Sequence, residues 1–294
     1  MFKTSVCSYP DRGSYGNSRY RGNCSGHVIK DFVETYLPRL DGLFADPSIG
    51  SGTSAHVAAE LRVRFKGTDL HQGFDLLRDD FRAFLGEDAA AVWWHPPYWD
   101  MIHYSGSQWG NVPHPSDMSR MTLPDFTEAL AVSLMNIHDA CAPNGHYGVL
   151  MGNLRREGRY YNLSSLVERI APGRLVDEII KLQHQCSSDR KHYANSFVRI
   201  GHEKLLVFRK AGGRAFSMLV RIQRRVDNIV AATWRSAVRR ALHGRSPVPL
   251  DQIYAAMEPY AMSRENVHWK AKVRQVLQDE RFFVRVSLGV YQLA

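Results

Sequence analysis

The sequence predicts an α/β protein with an open, mostly parallel sheet and helices on both faces, followed by a small basic domain. Three observations lead to this fold class. Apolar runs typical of strands alternate with helix-spaced apolar residues up to residue 210. Polar or glycine-rich motifs follow three predicted strands, where ligands of such sheets bind. The excess positive charge is confined to the last part of the chain.

The predicted elements of the first half alternate in chain order. Residues 1–22 lack periodicity and predict a loop, whereas 26–37 have the apolar spacing of a helix. Residues 43–61 predict a short strand, a glycine-rich turn and a helix. Residues 62–70 predict a second strand, and 70–86 a helix or an irregular segment.

Four more strands complete the predicted sheet. The apolar run 89–94 predicts a buried strand, and a loop over 100–122 leads to a helix over 123–141. A PNG turn then precedes a strand over 146–153. No clear helix separates the last two strands, so they predict a hairpin-like edge. They cover residues 176–183 and 202–210.

Charge divides the chain into two domains. The net charge is +9, and the segment from Arg214 onward carries eight of these charges, with 14 Lys and Arg against 6 Asp and Glu. We therefore expect a near-neutral domain over residues 1–212 and a basic domain over 213–294. A basic module suggests a polyanion partner, most commonly nucleic acid, and the alternative is a solvated basic helix face.

The order of elements in the basic domain predicts a winged helix. Residues 222–242 predict one or two helices, 247–259 a further helix, and 264–278 a basic helix. Residues 281–294 alternate apolar and polar side chains around a glycine, as a two-stranded ribbon does. The basic helix would lie in or along a major groove, and the alternative is a role in dimer contacts.

Composition argues against several other classes. No apolar run approaches the ~20 residues of a membrane span, and the first residues lack the apolar segment of a signal peptide. The four cysteines, Cys7, Cys24, Cys141 and Cys186, are scattered. We therefore expect a cytoplasmic protein with no membrane partner, no metal and no disulfide framework.

The segment DPSIGSGT (46–53) lies between a predicted strand and a helix. Its glycines permit a tight turn and a close approach of the backbone to a ligand, although it is neither a Walker P-loop nor GxGxxG. Asp69 ends the next strand, where an acid binds both ribose hydroxyls in dinucleotide folds. The alternatives are a ligand-free turn and an aspartate that caps the next helix.

The segment WWHPPYWD (93–100) follows the buried strand. Two adjacent prolines end a strand and fix the backbone, so the carbonyl of Pro96 can accept a hydrogen bond and the ring of Tyr98 is held in place. This geometry would suit a clamp for a flat ligand. The alternative is a loop whose aromatic side chains fill a core.

Together these motifs resemble those of the S-adenosylmethionine-dependent DNA amino-methyltransferases. DPSIGSGT is similar to motif I, HPPYW to motif IV, YRGNCSGHVIKDFV (20–33) to motif X, and GHEKLLVFRK (201–210) to the closing strand of that catalytic domain. The resemblance covers residues 20–210 and implies a class I methyltransferase (Rossmann-like) fold with S-adenosyl-L-methionine as cofactor. The implied cofactor-binding residues are Tyr20, Arg21, Asn23, Cys24, Ser25, Asp46, Pro47, Ser48, Gly50, Ser51, Gly52, Thr53, Asp69, Asp80 and Phe81.

The resemblance also implies the chemistry of HPPY. Two acceptors, the Pro96 carbonyl and the first motif residue, would bind the exocyclic amine of a flipped base, and Tyr98 would stack on that base, with Pro97 stiffening the turn. The first residue is His95, where Asp, Asn or Ser is usual, and a neutral imidazole can still accept one hydrogen bond. We expect methylation of N6 of adenine. The alternatives are N4 of cytosine, an RNA or protein amine, and an inactive DNA-binding regulator.

Double-stranded DNA is the expected partner, and a symmetric target site would suit a homodimer. The setting would be a bacterial or phage-infected cell, as an orphan enzyme or in a restriction-modification pair. The loop from Trp99 to Met121 is expected to close over the flipped base. The expected DNA-binding residues are Arg190, Lys191, Arg239, Arg264, Lys270, Lys272 and Arg274.

Overall fold

The chain divides into two compact units, Met1–Ala215 and Phe216–Ala294. The computed structural model describes residues 1–37, 41–184, 197–210, 234–235, 237–239, 241–242, 247–262, 267–280 and 282–294. Within these ranges, no helix is both long enough and apolar enough to cross a membrane.

A seven-stranded sheet forms the centre of the larger unit. Its strands are β1 Val6–Ser8, β2 Phe44–Asp46, β3 Phe65–Gly67, β4 Ala89–Trp94, β5 Cys141–Gly152, β8 Arg174–Leu182 and β9 His202–Arg209, with a separate hairpin of β6 Leu154–Arg156 and β7 Arg159–Tyr161. The order is β1-β8-β9-β5-β4-β2-β3, and among these described strands only β9 runs antiparallel to its neighbours. The predicted mostly parallel α/β sheet is confirmed.

The strand order reverses between β2 and β4. The chain leaves β2 for β3 on one side and returns to β4 on the other, which opens a crevice at the carboxyl ends of these strands. The motifs that begin at Asp46 and His95, as well as Asp69, all follow these three strands. The topology therefore brings the three sequence motifs to one edge of the sheet.

Helices cover both faces of this sheet. They are α1 Gly26–Tyr36, α2 Thr53–Leu61, α3 Phe81–Leu85, α4 Leu123–Ala140 and α5 Leu163–Ile170. Successive side chains of a strand point to opposite faces, so Trp93 packs with Phe32 of α1 while Trp94 joins Phe126 of α4. Burial of each such aromatic side chain contributes roughly 1.5–3 kcal/mol, and these two clusters fix β4 between the layers.

Several elements differ from the sequence prediction. Residues 6–8, predicted as loop, form the edge strand β1 beside β8, so β8 and β9 lie inside the sheet. A strand of three residues is too short to show periodicity. The PNG sequence is a bulge within β5: Ala89 pairs with Cys141 and Ala91 with His146, which leaves residues 142–145 unpaired in this ladder. The β6–β7 hairpin and α5 were not predicted.

The smaller unit contains two described helices and a three-stranded antiparallel sheet. The helices are α6 Leu250–Met262 and α7 Trp269–Leu277, and the strands are β10 Val248–Pro249, β11 Phe283–Ser287 and β12 Val290–Leu293 in the order β10-β12-β11. Residues 234–235, 237–239 and 241–242 are also helical. Val238, Ile253, Val273 and Phe283 are fully buried between these elements. The helix α7 covers the described part of the expected basic helix over 264–278, of which residues 264–266 lie outside the described residues. The winged-helix assignment stays a prediction.

Candidate active site

The glycine-rich turn joins the end of β2 to the start of α2. Gly50 and Gly52 have φ values of +51° and +86°, a region that favours glycine. The N–H of Gly52 donates to the carbonyl of Ile49 at 2.8 Å. A Cβ on Gly50 would lie 3.2 Å from Cε1 of Tyr20. The glycines therefore let the backbone turn tightly beneath a tyrosine ring.

Asp46 is a buried carboxyl group at the start of this turn. Its Oδ1 accepts from the N–H of Ser48 at 2.9 Å and its Oδ2 from the hydroxyl of Ser54 at 2.6 Å. Burial raises the pKa of Asp46 to about 7, and these two hydrogen bonds only partly oppose the shift. A cationic group beside Asp46 would favour its ionised form.

Asp69 ties the next strand to the glycine-rich turn. Its Oδ2 accepts from the N–H of Gly50 at 2.9 Å, and its Oδ1 lies 2.7 Å from Nδ1 of His71. This contact raises the pKa of His71. A carboxylate has about four lone-pair sites, so Asp69 can accept further hydrogen bonds at the cavity that it lines.

Asn23 links the N-terminal segment to the same turn. Its Nδ2 donates to Oγ of Ser51 at 2.7 Å, and its Oδ1 accepts from the hydroxyl of Thr53 at 2.5 Å. These contacts lie at the wall of one cavity. Ten of the predicted cofactor residues line it: Tyr20, Asn23, Cys24, Asp46, Pro47, Ser48, Gly50, Ser51, Thr53 and Asp69.

Five other predicted cofactor residues do not line this cavity. Gly52 caps α2, Ser25 caps α1 and faces a neighbouring cleft, and Arg21 is exposed. Asp80 and Phe81 lie elsewhere, and their contact with the cofactor stays a prediction. The exposed Asp80 caps α3 by accepting from the N–H of Ala83, and Phe81 is fully buried in the core.

Residues that the sequence analysis did not select complete the cavity wall. Phe74, Leu76 and Leu77 line it, as does Leu70, and these side chains give the wall apolar surface. The segment 99–121, expected as a lid over the base, contributes Tyr104, Trp109, Ser116, Asp117 and Met118 to the same wall. No sequence signal distinguished Phe74, Leu76 and Leu77 from core residues.

The HPPY motif forms a hydrogen-bonded network with β8 and β9. Nε2 of His95 lies 2.8 Å from the hydroxyl of Tyr98, which donates to Oε1 of Glu203 at 2.9 Å. Lys181 pairs with Oε2 of the same carboxylate at 2.6 Å. A Cβ on Gly152 would lie 2.5 Å from Cε2 of Tyr98, so the ring packs directly on the end of β5. Sequence reasoning missed Glu203, although the resembling stretch GHEKLLVFRK contains it.

The protonation states in this network follow from burial and from one ion pair. Burial lowers the pKa of His95 to about 4, and Glu203 only partly opposes this shift. Burial disfavours the charge of Glu203, but Lys181 and the hydroxyl of Tyr98 help to outweigh it and lower the carboxyl pKa. At neutral pH, His95 is therefore neutral and Glu203 is ionised.

His95 stands between two spaces. It lines the cavity of the glycine-rich turn and also a larger cleft. Pro96, Tyr98 and Glu203 line the cleft, as do the basic residues Arg12, Arg155, Arg156 and Lys181. Two ligands, one in each space, would therefore meet at His95.

Several described basic residues of the smaller unit lie next to aromatic side chains. Lys270 is 5.6 Å from the ring centroid of Tyr254, and Nη1 of Arg274 donates to the hydroxyl of Tyr254 at 3.1 Å. Lys272 contacts Gln275, and Arg239 lies 5.5 Å from the ring centroid of Phe282. The predicted residues Arg190, Lys191 and Arg264 lie outside the described residues.

No cluster of three or more His, Cys, Asp or Glu side chains that could hold a metal ion occurs in the described part of the chain. The groups that face the cavity are instead carboxylates, hydroxyls and backbone amides, next to an apolar wall. Such a set suits an organic ligand with both polar and apolar parts.

Comparisons with known proteins give structural likeness only. No family model matches the sequence, and no curated protein matches it. Similar solved structures include TrmN from Thermus thermophilus, with 14% identity, 65% of this chain covered, 51% of TrmN covered and a TM-score of 0.39. An rRNA methylase from Streptococcus thermophilus has 10% identity, with 63% of this chain and 96% of that chain covered, and a TM-score of 0.34.

A proposed DNA modification methylase from Thermus thermophilus is also similar, and its structure is complexed with S-adenosyl-L-methionine. The identity is 22%, with 46% of this chain and 54% of that chain covered, and the TM-score is 0.30. The chain thus spans about half the length of this methylase and of TrmN. These comparisons assign no substrate. The sheet of the larger unit itself has the predicted class I methyltransferase (Rossmann-like) arrangement.

Proposed function

We propose that this chain is an S-adenosylmethionine-dependent DNA methyltransferase that acts on the N6 amine of an adenine flipped out of a duplex. The observation that carries the proposal is the position of His95 in the walls of both the cavity and the cleft. A methyl donor in the cavity and an amine in the cleft would meet at HPPY. The motif resemblance supplies the class of the amine.

The cavity residues fit S-adenosyl-L-methionine. The Asp46 carboxylate suits the cationic amino group of its methionine part, and Asp69 suits the ribose hydroxyls. Leu70, Phe74 and Leu76 offer an apolar surface to the adenine ring. When bound, this cofactor supplies an electrophilic methyl group on a sulfonium sulfur.

The residues at the cleft would prepare the acceptor nitrogen. The lone pair of an exocyclic amine is delocalised into the base, so attack requires the nitrogen to become more tetrahedral. The Pro96 carbonyl and the neutral His95 ring would each accept one amine hydrogen and favour that geometry. Tyr98, held at its hydroxyl and against Gly152, would stack on the flipped base.

Charge supports DNA as the substrate. Arg12, Arg155, Arg156 and Lys181 line the cleft, and the segment from Arg214 onward carries eight of the nine net charges. Arg239, Lys270, Lys272 and Arg274 would contact DNA from a winged helix. A cytoplasmic homodimer on a symmetric site is part of the same proposal.

The direct test combines the purified protein with labelled S-adenosylmethionine and unmethylated genomic DNA. Mass spectrometry of the digested nucleosides would show N6-methyladenine if the proposal is right. N4-methylcytosine would keep the mechanism and change the base. Cofactor binding without any methylated base would overturn DNA methylation and direct the same assay to RNA and protein.

Matched variants connect the product to the site. We expect His95→Ala and Tyr98→Ala to lower turnover by about 100-fold or more, because each removes a group that would contact the base. Lys30→Ala is the control, since Lys30 forms an ion pair with Glu60 and lines neither space. Normal turnover in both site variants would contradict the assignment of HPPY.

A further inference from the structure

Glu203 enters the HPPY site from a different part of the sheet. It lies on β9 directly opposite Lys181 of β8 in the strand register. Both side chains are nearly buried, with 9% and 11% exposed, and Nζ lies 2.6 Å from Oε2. This ion pair leaves Oε1 facing Tyr98. A buried carboxylate is thus held as a hydrogen-bond acceptor at the site.

The hydrogen count in this network has one solution. An ionised carboxylate only accepts, so the single hydroxyl hydrogen of Tyr98 points to Glu203. The contact between that hydroxyl oxygen and Nε2 of His95, at 2.8 Å, must then use a hydrogen on Nε2. Neutral imidazole has one N–H, so Nδ1 of His95 carries a lone pair. Nδ1 has no hydrogen-bond partner among the described residues.

We propose that Glu203 is a positioning residue that, through Tyr98, holds His95 as the Nε2–H tautomer and so presents Nδ1 as the acceptor for the amine of the target base. This inference rests on the proposed function. It assigns a joint role to three residues: His95 and Tyr98 belong to the HPPY motif, and Glu203 belongs to the distant strand β9.

The network fixes the tautomer of His95, which a histidine at this position requires. The oxygen of an aspartate, asparagine or serine side chain accepts a hydrogen bond without any choice of tautomer. An imidazole accepts through one nitrogen only, and the wrong tautomer would direct an N–H at the amine. A fixed donor-acceptor chain that ends at an ion pair removes that choice.

The decisive measurement is nitrogen-15 NMR of the histidine side chains in the full-length protein without DNA. The His95 signals are those missing from the spectrum of His95→Asn. Asn is chosen because it retains a hydrogen-bond acceptor at this position. We expect wild-type His95 as the Nε2–H tautomer, with a proton that exchanges slowly with solvent. In Tyr98→Phe, which keeps the ring and removes the hydroxyl, this slow exchange should be lost. An Nδ1–H tautomer in the wild-type protein would overturn the proposal without any variant.

The kinetic arm distinguishes positioning from a general loss of structure. Glu203→Ala should lower methyl transfer by about 10- to 100-fold, as for other partners that orient an imidazole, with cofactor binding retained. Glu203→Gln, whose amide oxygen can still accept from Tyr98, should recover much of that loss. If Glu203→Ala transfers methyl groups at the wild-type rate, the proposal is wrong.

Two further arms keep the outcomes separate. The double variant Lys181→Met/Glu203→Gln removes the ion pair as a unit and leaves no buried lysine charge unpaired if a single variant fails to fold. The proposed function is tested by the nucleoside assay on wild-type protein, whereas the tautomer is measured with no substrate present. If the NMR spectrum shows the Nε2–H tautomer but the nucleoside assay detects no methylated base, the proposed substrate is wrong and the proposed hydrogen-bond network stands.

Discussion

At the scale of single residues, Asp46 shows a conflict between stability and ligand binding. Its folded-state pKa of about 7 lies above the unfolded value of 3.8, so the folded protein binds the extra proton between these values. The stabilisation is complete below pH 3.8 and is lost as the pH rises through 7. A bound cationic group would restore the ionised form.

Asp46→Asn should therefore stabilise the free protein at pH 8 and weaken cofactor binding. The amide can accept from Ser48 and donate to Ser54, so the local contacts survive. We expect a gain of about 1–3 kcal/mol in the free energy of unfolding at pH 8 and no gain at pH 4. Urea unfolding at both pH values and calorimetric titration with S-adenosylmethionine measure the two effects. A variant that is less stable at pH 8 would contradict the argument.

Gly152→Ala tests whether the position of the Tyr98 ring against β5 matters for methyl transfer. The added Cβ would lie 2.5 Å from Cε2 of Tyr98, so the ring must move. We expect methyl transfer to fall by at least about tenfold, because small displacements of a positioned group are costly, with cofactor affinity unchanged. Gly201→Ala is the matched control, since its nearest neighbour would be 3.6 Å away. Equal rates for the two variants would rule out a role for the ring position.

The low pKa of His95 makes a prediction about pH. A group with a pKa of about 4 stays neutral throughout the physiological range. The rate at saturating cofactor and DNA should therefore show no inflection near pH 6.5, and any loss due to His95 should begin only as the pH approaches 4. The same shift lowers stability as the pH falls from 6.5 towards 4, because the unfolded histidine takes up its proton first. An inflection near 6.5 that disappears in His95→Asn would refute this account.

At the scale of elements, the sequence predicted those with a strong apolar pattern. The helices α1 and α4 and the strand β4 follow their predicted ranges closely, because burial on one face or on two imposes a regular pattern. The three-residue strand β1 and the β6–β7 hairpin are too short for such a pattern. Asp80 caps α3 and Phe81 packs in the core, so neither lines the cavity. A helix cap and a core aromatic look the same in sequence as ligand contacts.

The site was only partly predictable for a related reason. The motifs at Asp46, Asp69 and His95 follow strands that the sequence identifies, and parallel strands place their carboxyl ends together. Glu203 joins them through the antiparallel insertion of β9 beside β8. No local pattern encodes that neighbour relation, so the carboxylate of the network became visible only in three dimensions.

The helix α7 is predicted to act through charge. Lys270 and Arg274 are both exposed and both contact Tyr254, which gathers two cations on one side of the helix. The double variant Lys270→Ala/Arg274→Ala should reduce the slope of log affinity against log salt by about 2. Fluorescence anisotropy with a DNA duplex over a salt series measures it. The control is Lys30→Ala/Arg64→Ala, which removes two positive charges from the larger unit. If this control reduces the salt slope equally, DNA affinity depends only on net charge and not on the position of α7.

At the scale of the whole molecule, cofactor binding should affect the two units differently. The predicted ligand contacts all lie in the larger unit. At a concentration of about 100 times Kd, the ligand should stabilise that unit by about 2.7 kcal/mol. Hydrogen exchange should therefore slow in the core of the sheet and leave residues 247–294 unchanged. Equal protection in both units would show that the smaller unit also responds to the ligand.

The place of β1 in the sheet has a consequence for synthesis on the ribosome. Val6 leaves the ribosome long before Ile180, which is its partner in the sheet. The first strand of the chain must therefore wait, unpaired, until most of the larger unit has been made. The edge of the sheet closes late, and a pause in translation before β8 would prolong the exposure of the N-terminal segment to chaperones and proteases.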